Sequence, residues 1–150
     1  MSEKWPIESI LPHRGSMLFL DRVVSYGSDW IVCEADTAKQ ALFAQTPKGI
    51  PAWFGLEYMC QSIAALEGIK CLEKNASVRL SYVMGSRRIC SELSHLPFDE
   101  TLTIRADTEI RDESAIGVFN CKVFAAERCI MQGMIKGYMP KSPDLILQAR

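Results

Sequence analysis

The segment from Ile50 to Gly68, "IPAWFGLEYMCQSIAALEG", constrains the fold of this chain more than any other. Pro51 suits the first position of a helix, where its missing N–H has no intrahelical partner to lose. No proline follows between Ala52 and Leu72, and Trp53, Phe54, Leu56, Met59, Cys60, Ile63, Ala64, Leu66 and Ile69 surround most of the axis. A helix apolar on nearly every side has to be covered on nearly every side. Yet Glu57 stands among these side chains, and an ionised carboxylate is costly to bury without partners.

The cover has to come from strands, because little else in the chain reads as helix. "MLFLDRVVSY", Met17 to Tyr26, is rich in strand formers, and "WIVCEADT", Trp30 to Thr37, alternates. The turn residues Gly27, Ser28 and Asp29 separate them, as in a hairpin. Residues 38–50 read as a loop with a helical turn. Beyond the helix, "EKNAS" is a polar connection, and four strand-like runs follow: "VRLSYVMGSRRICSEL", "TLTIRADTEIR", "IGVFNCKVFAA" and "CIMQGMIKGYMP". Their short connections imply antiparallel pairing. The tail "DLILQAR" reads as a short helix or as disorder. The expectation is one α+β domain over residues 1–150, a curved antiparallel sheet wrapped round one long central helix.

Composition narrows the function classes. Acids and bases nearly balance, with a formal net charge of -1, and no basic stripe argues for nucleic acid. No uninterrupted apolar run is long enough to cross a membrane. The opening "MSEKWPIESI" lacks a basic end followed by an apolar run, so no signal peptide and a cytoplasmic location are expected. Six cysteines form no CxxC pair or metal-ligand spacing, most sit inside apolar runs and read as reduced and buried, and nothing supports a catalytic thiol. Two histidines, His13 and His95, are too few for a histidine-rich metal centre.

Two segments carry a specific resemblance. "LPHRGSMLFLDRVV" resembles the opening of the bacterial 3-hydroxyacyl-acyl-carrier-protein dehydratases, in which leucine-proline-histidine-arginine leads into an apolar strand ending in aspartate-arginine. "PAWFGLEYMCQSIAA" resembles the central helix of those enzymes, a glutamate followed four residues on by glutamine, and its wording is closer to the ApeP-like branch associated with aryl-polyene pigment clusters. "MGSRRICSELSHLPFDETL" is a weaker match to the strand and turn that follow. The resemblance implies the hotdog fold, dimerisation, and active sites between protomers. One departure is large. The fatty-acid enzymes carry a catalytic histidine shortly before the helix, and here that region is "ALFAQTPKGIPAW", with none. The family's helix-start glycine falls on Ala52.

Counted from Pro51, Glu57 is the seventh helical residue, past the turn where capping glutamates sit. Its neighbours three and four residues away are Trp53, Phe54, Cys60 and Gln61, surroundings that favour a protonated carboxyl suited to general acid work. The resemblance points the same way; the plainer alternative is an exposed helix charge. His13, the only histidine in the two specifically matching segments, is the expected base, against the alternative of a loop histidine bonded to backbone. Gln61 lies one turn beyond Glu57 on the same face and is expected at the substrate site or orienting the carboxylate. The N–H groups of Ala52 and Trp53 are expected to polarise a thioester oxygen at the helix start, or their side chains only pack. Arg87 and Arg88 read equally as contacts for a carrier protein or its phosphopantetheine phosphate and as solvent-facing strand charges. His95 reads as a lip residue. Asp21 and Arg22 match the family motif but read equally as a structural ion pair.

The expected reaction is dehydration of a 3-hydroxyacyl-acyl-carrier-protein thioester to the trans-2-enoyl product, in fatty-acid or aryl-polyene chain synthesis. It needs no metal or redox cofactor, because the thioester acidifies the C2 hydrogen. The expected partners are an acyl carrier protein and a second hotdog subunit, in a homodimer or a hetero-oligomer. Two alternatives stay open: a hotdog acyl thioesterase, and a non-catalytic hotdog subunit of a dehydratase complex.

Overall fold

The computed structural model describes residues 4–141. A short helix α1 (Ile7–Ile10) and a 3-10 turn (Gly15–Met17) precede strands β1 (Arg22–Tyr26) and β2 (Trp30–Asp36). A 3-10 stretch (Thr37–Phe43), the short strand β3 (Ile50–Pro51) and a second 3-10 turn (Ala52–Phe54) lead into helix α2 (Gly55–Glu73). Strands β4 (Tyr82–Ser91), β5 (His95–Leu96), β6 (Thr101–Arg111), β7 (Ile116–Ala125) and β8 (Arg128–Tyr138) complete the described residues. The tail "DLILQAR" lies outside them.

Six strands form one antiparallel sheet in the order β1-β2-β6-β7-β8-β4, and β3 pairs with β5 in a separate two-stranded ladder. Alternation along the strands gives the sheet one buried face. Ile31, Cys33 and Ala35 of β2, Leu102, Ile104 and Ala106 of β6, and Phe119, Cys121 and Val123 of β7 all point into it. Helix α2 lies on that face against β2, β6 and β7 and buries Tyr58, Met59, Ile63, Ala65, Leu66 and Ile69. The expected α+β arrangement, one antiparallel sheet on one long helix, is the one observed.

The local differences have physical causes. Pro51 does not begin the helix; it pairs with His95 across β3 and β5, and Ala52–Phe54 winds as a 3-10 turn first. Glu57 is therefore the third residue of α2, inside its first turn, and not the seventh. Strand β1 begins at Arg22 and not near Met17, because a side chain of α2 takes the backbone groups of Met17 and Phe19 that a strand partner would need. Strand β4 sits at the sheet's end beside β8, and every one of its residues is exposed, Tyr82, Val83, Met84 and Ile89 included.

The short helix α1 crosses α2 so closely that a Cβ on Gly68 would overlap the Ile10 carbonyl oxygen. Backbone meets backbone there, which only glycine permits. On the same half of α2, Glu67 is buried against the guanidinium of Arg111 on β6, with Lys70 Nζ 3.7 Å away. That arrangement answers the cost of burying a carboxylate, because its partners stand on both sides.

Candidate active site

The site is assembled on the first turns of α2 by Gln61. This side chain is fully buried, and three hydrogen bonds fix it. Its carbonyl oxygen accepts the Phe19 N–H at 2.9 Å, and its amide nitrogen donates to the Met17 carbonyl at 2.8 Å and to Glu57 Oε1 at 2.7 Å. Residues four apart share a helix face, so the spacing from Glu57 to Gln61 makes the last contact possible. Both amide protons are engaged. Gln61 lines the same cavity as His13 and Glu57 and holds the Glu57 carboxyl there.

Glu57 is less enclosed than its apolar neighbours in sequence suggest. Its side chain is 36% exposed, since the first turn of α2 looks into an open cavity and not into the core. The segment from Leu11 to Leu20 passes over this turn and brings His13 Nε2 to 3.8 Å from Glu57 Oε1 within one protomer. That is beyond a direct hydrogen bond but within reach of a bridging water or substrate hydroxyl. The other ring nitrogen, Nδ1, is buried without a hydrogen-bond partner among the described residues.

Both side chains line a cavity of about 150 Å³, with Cys60, Ala64, Tyr82 and Ile135 among its other walls. Polar side chains (His13, Glu57, Ser81 and Tyr82) and apolar ones (Ile63, Ala64, Val83 and Ile135) share its lining. Burial, with the neighbouring Glu57 carboxylate adding to it, pushes the Cys60 thiol up to about 12. Cys60 thus stays protonated near neutral pH and contributes a wall, not a nucleophile.

The other singled-out residues fall elsewhere. The Ala52 N–H donates to the Ser94 carbonyl at 3.0 Å, so it cannot polarise a thioester oxygen as expected; the pairing of β3 with β5 draws it there. Trp53 is 68% exposed, stacks on Phe54 with ring centroids 4.0 Å apart, and does not line the His13–Glu57 cavity. Arg87 and Arg88 border a separate cleft of about 660 Å³ with Met84, Ile110 and Lys136. Strand β4 connects the two places, with Val83 on the first and Arg87 on the second, roughly 13 Å apart at strand rise. His95 is held at both ring nitrogens, by Ser94 Oγ and Gln45 Oε1, each at 2.9 Å. Asp21 and Arg22 do not pair with each other: Asp21 binds Lys39, and Arg22 binds Glu34.

Sequence reasoning missed Tyr82 and Val83 as cavity walls. They read only as strand residues, and nothing local to β4 says that its start lies beside α2.

A six-stranded antiparallel sheet packed on a single long helix, with a carboxylate in that helix's first turn beside the cavity, is the hotdog arrangement. The chain belongs to the ApeP-like family, described as ApeP dehydratase, whose profile matches residues 5–148. Among solved structures, the dehydratase heterocomplex ApeI:P from Xenorhabdus doucetiae is similar, at 21% identity and a TM-score of 0.88 over 97% of this chain and 98% of that one. A sigma28-regulated virulence protein from Campylobacter jejuni follows at 12% identity and a TM-score of 0.69, over 91% and 89% of the two chains. A hypothetical thioesterase protein with coenzyme A from Streptococcus pneumoniae matches at 9% identity and a TM-score of 0.62, over 79% and 84%. No curated protein matches the chain.

Proposed function

We propose that the chain dehydrates 3-hydroxyacyl thioesters carried on an acyl carrier protein, giving the trans-2-enoyl product, with His13 as base and Glu57 as acid. The observation that carries this reading is the 3.8 Å separation of His13 Nε2 and Glu57 Oε1 across one cavity. Neutral His13 takes the C2 proton. The electron pair left behind forms the C2–C3 double bond as the C3–oxygen bond breaks. Glu57, acting in its acid form, delivers a proton to the departing hydroxyl, which leaves as water. The imidazolium and carboxylate that remain are close enough to return the proton from His13 to Glu57 through one water, restoring the starting state. Gln61 holds Glu57 through Oε1, the carboxyl oxygen nearest His13 Nε2.

The carrier's phosphopantetheine arm carries a phosphate, and the Arg87–Arg88 cleft further along β4 is where this reading seats it. The exposed edge of β4 is where a second hotdog subunit adds, identical or different. The similar fold from Xenorhabdus doucetiae is a heterocomplex.

The test is conversion by the purified chain of a 3-hydroxyacyl carrier-protein substrate, followed as the loss of one water in mass spectrometry. Glu57→Gln keeps the size and polarity of the side chain and removes the transferable proton, so turnover falls by roughly 10²-fold or more. A folded variant with near-parental turnover refutes the mechanism. Release of a free acid and a thiol, in place of the enoyl product, would instead assign a thioesterase.

A second reading has its own support: the region before the helix lacks the histidine that the resembling fatty-acid enzymes carry there, and a heterocomplex is among the similar folds. In it the chain stabilises an active partner and performs no chemistry. Inactivity of the chain alone, with activity of the mixture unaffected by Glu57→Gln, would establish that role.

A further inference from the structure

We propose that Arg14 is a positioning residue that aims His13 at Glu57. The proposal rests on the acid–base reading of His13. A catalytic imidazole is usually oriented by a hydrogen bond at its second nitrogen, but His13 Nδ1 is buried with no such partner among the described residues. The aim of the ring therefore depends on the backbone that carries it.

That backbone is tied down by one side chain. Arg14 Nη1 donates to the carbonyl oxygens of Leu11 and His13, both at 2.7 Å, and Nη2 donates to the Glu8 carbonyl at 2.8 Å. Hydrogen bonds from an ionised donor are stronger than neutral ones, and a planar guanidinium can serve three acceptors in one fixed geometry. Glu8 lies in α1, whose terminal carbonyls lack intrahelical partners and are natural acceptors for a cation. Helix α1 in turn is seated on α2 where Ile10 meets Gly68. The order of dependence is clear: α2 locates α1, α1 and Arg14 locate residue 13, and α2 itself carries Glu57. On its far side the same segment is fixed by Gln61, through Met17 and Phe19. Lysine keeps the charge but lacks the planar fork that spans these carbonyls in one fixed geometry.

The experiment reads His13 directly as well as through catalysis. The chain has two histidines, so ring signals in nitrogen-labelled protein come from His13 and His95 alone. His95, held by Ser94 and Gln45, is the internal reference. In the wild type, Glu57→Gln is expected to shift the His13 ring signals. In Arg14→Gln the His13 signals move or broaden, and adding Glu57→Gln no longer shifts them, while His95 stays in place. For the same variant, kcat falls by about 10- to 100-fold with KM within about 2-fold, the pattern of a misplaced catalytic group and not of lost binding. Arg14→Lys recovers only part of this loss. Should Arg14→Gln melt without a cooperative transition, Arg14→Lys is read by the same signals.

Persistence of the His13 response to Glu57→Gln in an Arg14→Gln background overturns the proposal, as does unchanged kcat in an active enzyme. If the response is lost but the wild type performs no dehydration, the hold of Arg14 on His13 stands and the dehydratase reading fails.

Discussion

At the scale of single residues, Gln61 is where the chain's local structure and its chemistry meet. It satisfies the Phe19 N–H and the Met17 carbonyl, and it anchors the Glu57 carboxylate. Gln61→Leu keeps the volume but leaves two backbone groups without a partner, and each such orphan costs about 1–3 kcal/mol. The expected result is a loss of stability of roughly 2–6 kcal/mol in urea unfolding, together with reduced turnover because Glu57 is released. The cysteines give a second prediction. Burial raises the thiols of Cys33 and Cys60 to about 12, and that of Cys121 higher still. At pH 8 a thiol of pKa about 12 is ionised in roughly one molecule in 10⁴, and only the thiolate reacts. Iodoacetamide at that pH is expected to leave these three unlabelled in the folded protein and to modify them once it is unfolded, as peptide mass mapping would reveal. Rapid labelling of Cys60 would mean that its cavity is far more open than described.

At the scale of elements, the contact between α1 and α2 decides the geometry of the site from a distance. Gly68 has no side chain to separate the two backbones. Gly68→Ala places a methyl group where the Ile10 carbonyl now lies, and overpacking of this kind costs typically about 1–3 kcal/mol. The gain in helix propensity from glycine to alanine, about 1 kcal/mol, offsets part of it. Net destabilisation is expected in thermal unfolding, with a drop in turnover out of proportion to the fraction unfolded, because α1 carries the Glu8 acceptor of Arg14. A stabilised variant with full activity would show that α1 shifts without disturbing His13. The first turn of α2 is the other element-scale lesson. The order of apolar residues in "PAWFGLEYM" indicates a helix, and α2 does lie there. Its start was not legible, because pairing of Pro51 with His95 competes with helix formation and depends on a residue far along the chain.

At the scale of the whole molecule, the exposed strand β4 is the feature a single protomer leaves unresolved. Its ten residues are exposed on both faces, and one edge of its ladder has no neighbour among the described residues. Such an edge invites pairing with another chain. Light scattering at micromolar concentration is expected to give at least a dimer. Met84→Lys, which adds a charge on the exposed edge strand, should shift it toward monomer. A wild-type monomer that forms a larger species only when mixed with a second hotdog subunit would point to a hetero-oligomer. Monomeric behaviour in both cases would contradict the use assigned to β4.

By itself, the sequence determined the long helix, the six strands of the main sheet and the chemistry available to them. The run of apolar residues around Glu57 required a buried helix, the alternating runs required strands, and short turns required antiparallel neighbours. It also indicated Glu57, Gln61 and His13, because the first two are spaced for one helix face and the third is the only histidine in the two specifically matching segments. The tertiary structure alone decided which of these meet. His13 and Glu57 are far apart in the chain and come together only because α1 seats on α2 and Gln61 captures the passing backbone. The tertiary structure also turned the Ala52 N–H toward Ser94, and put β4 beside β8, where its first residues wall the cavity. Periodicity reports which face of an element is buried, not which distant backbone or edge will cover it, and those long-range pairings place the site.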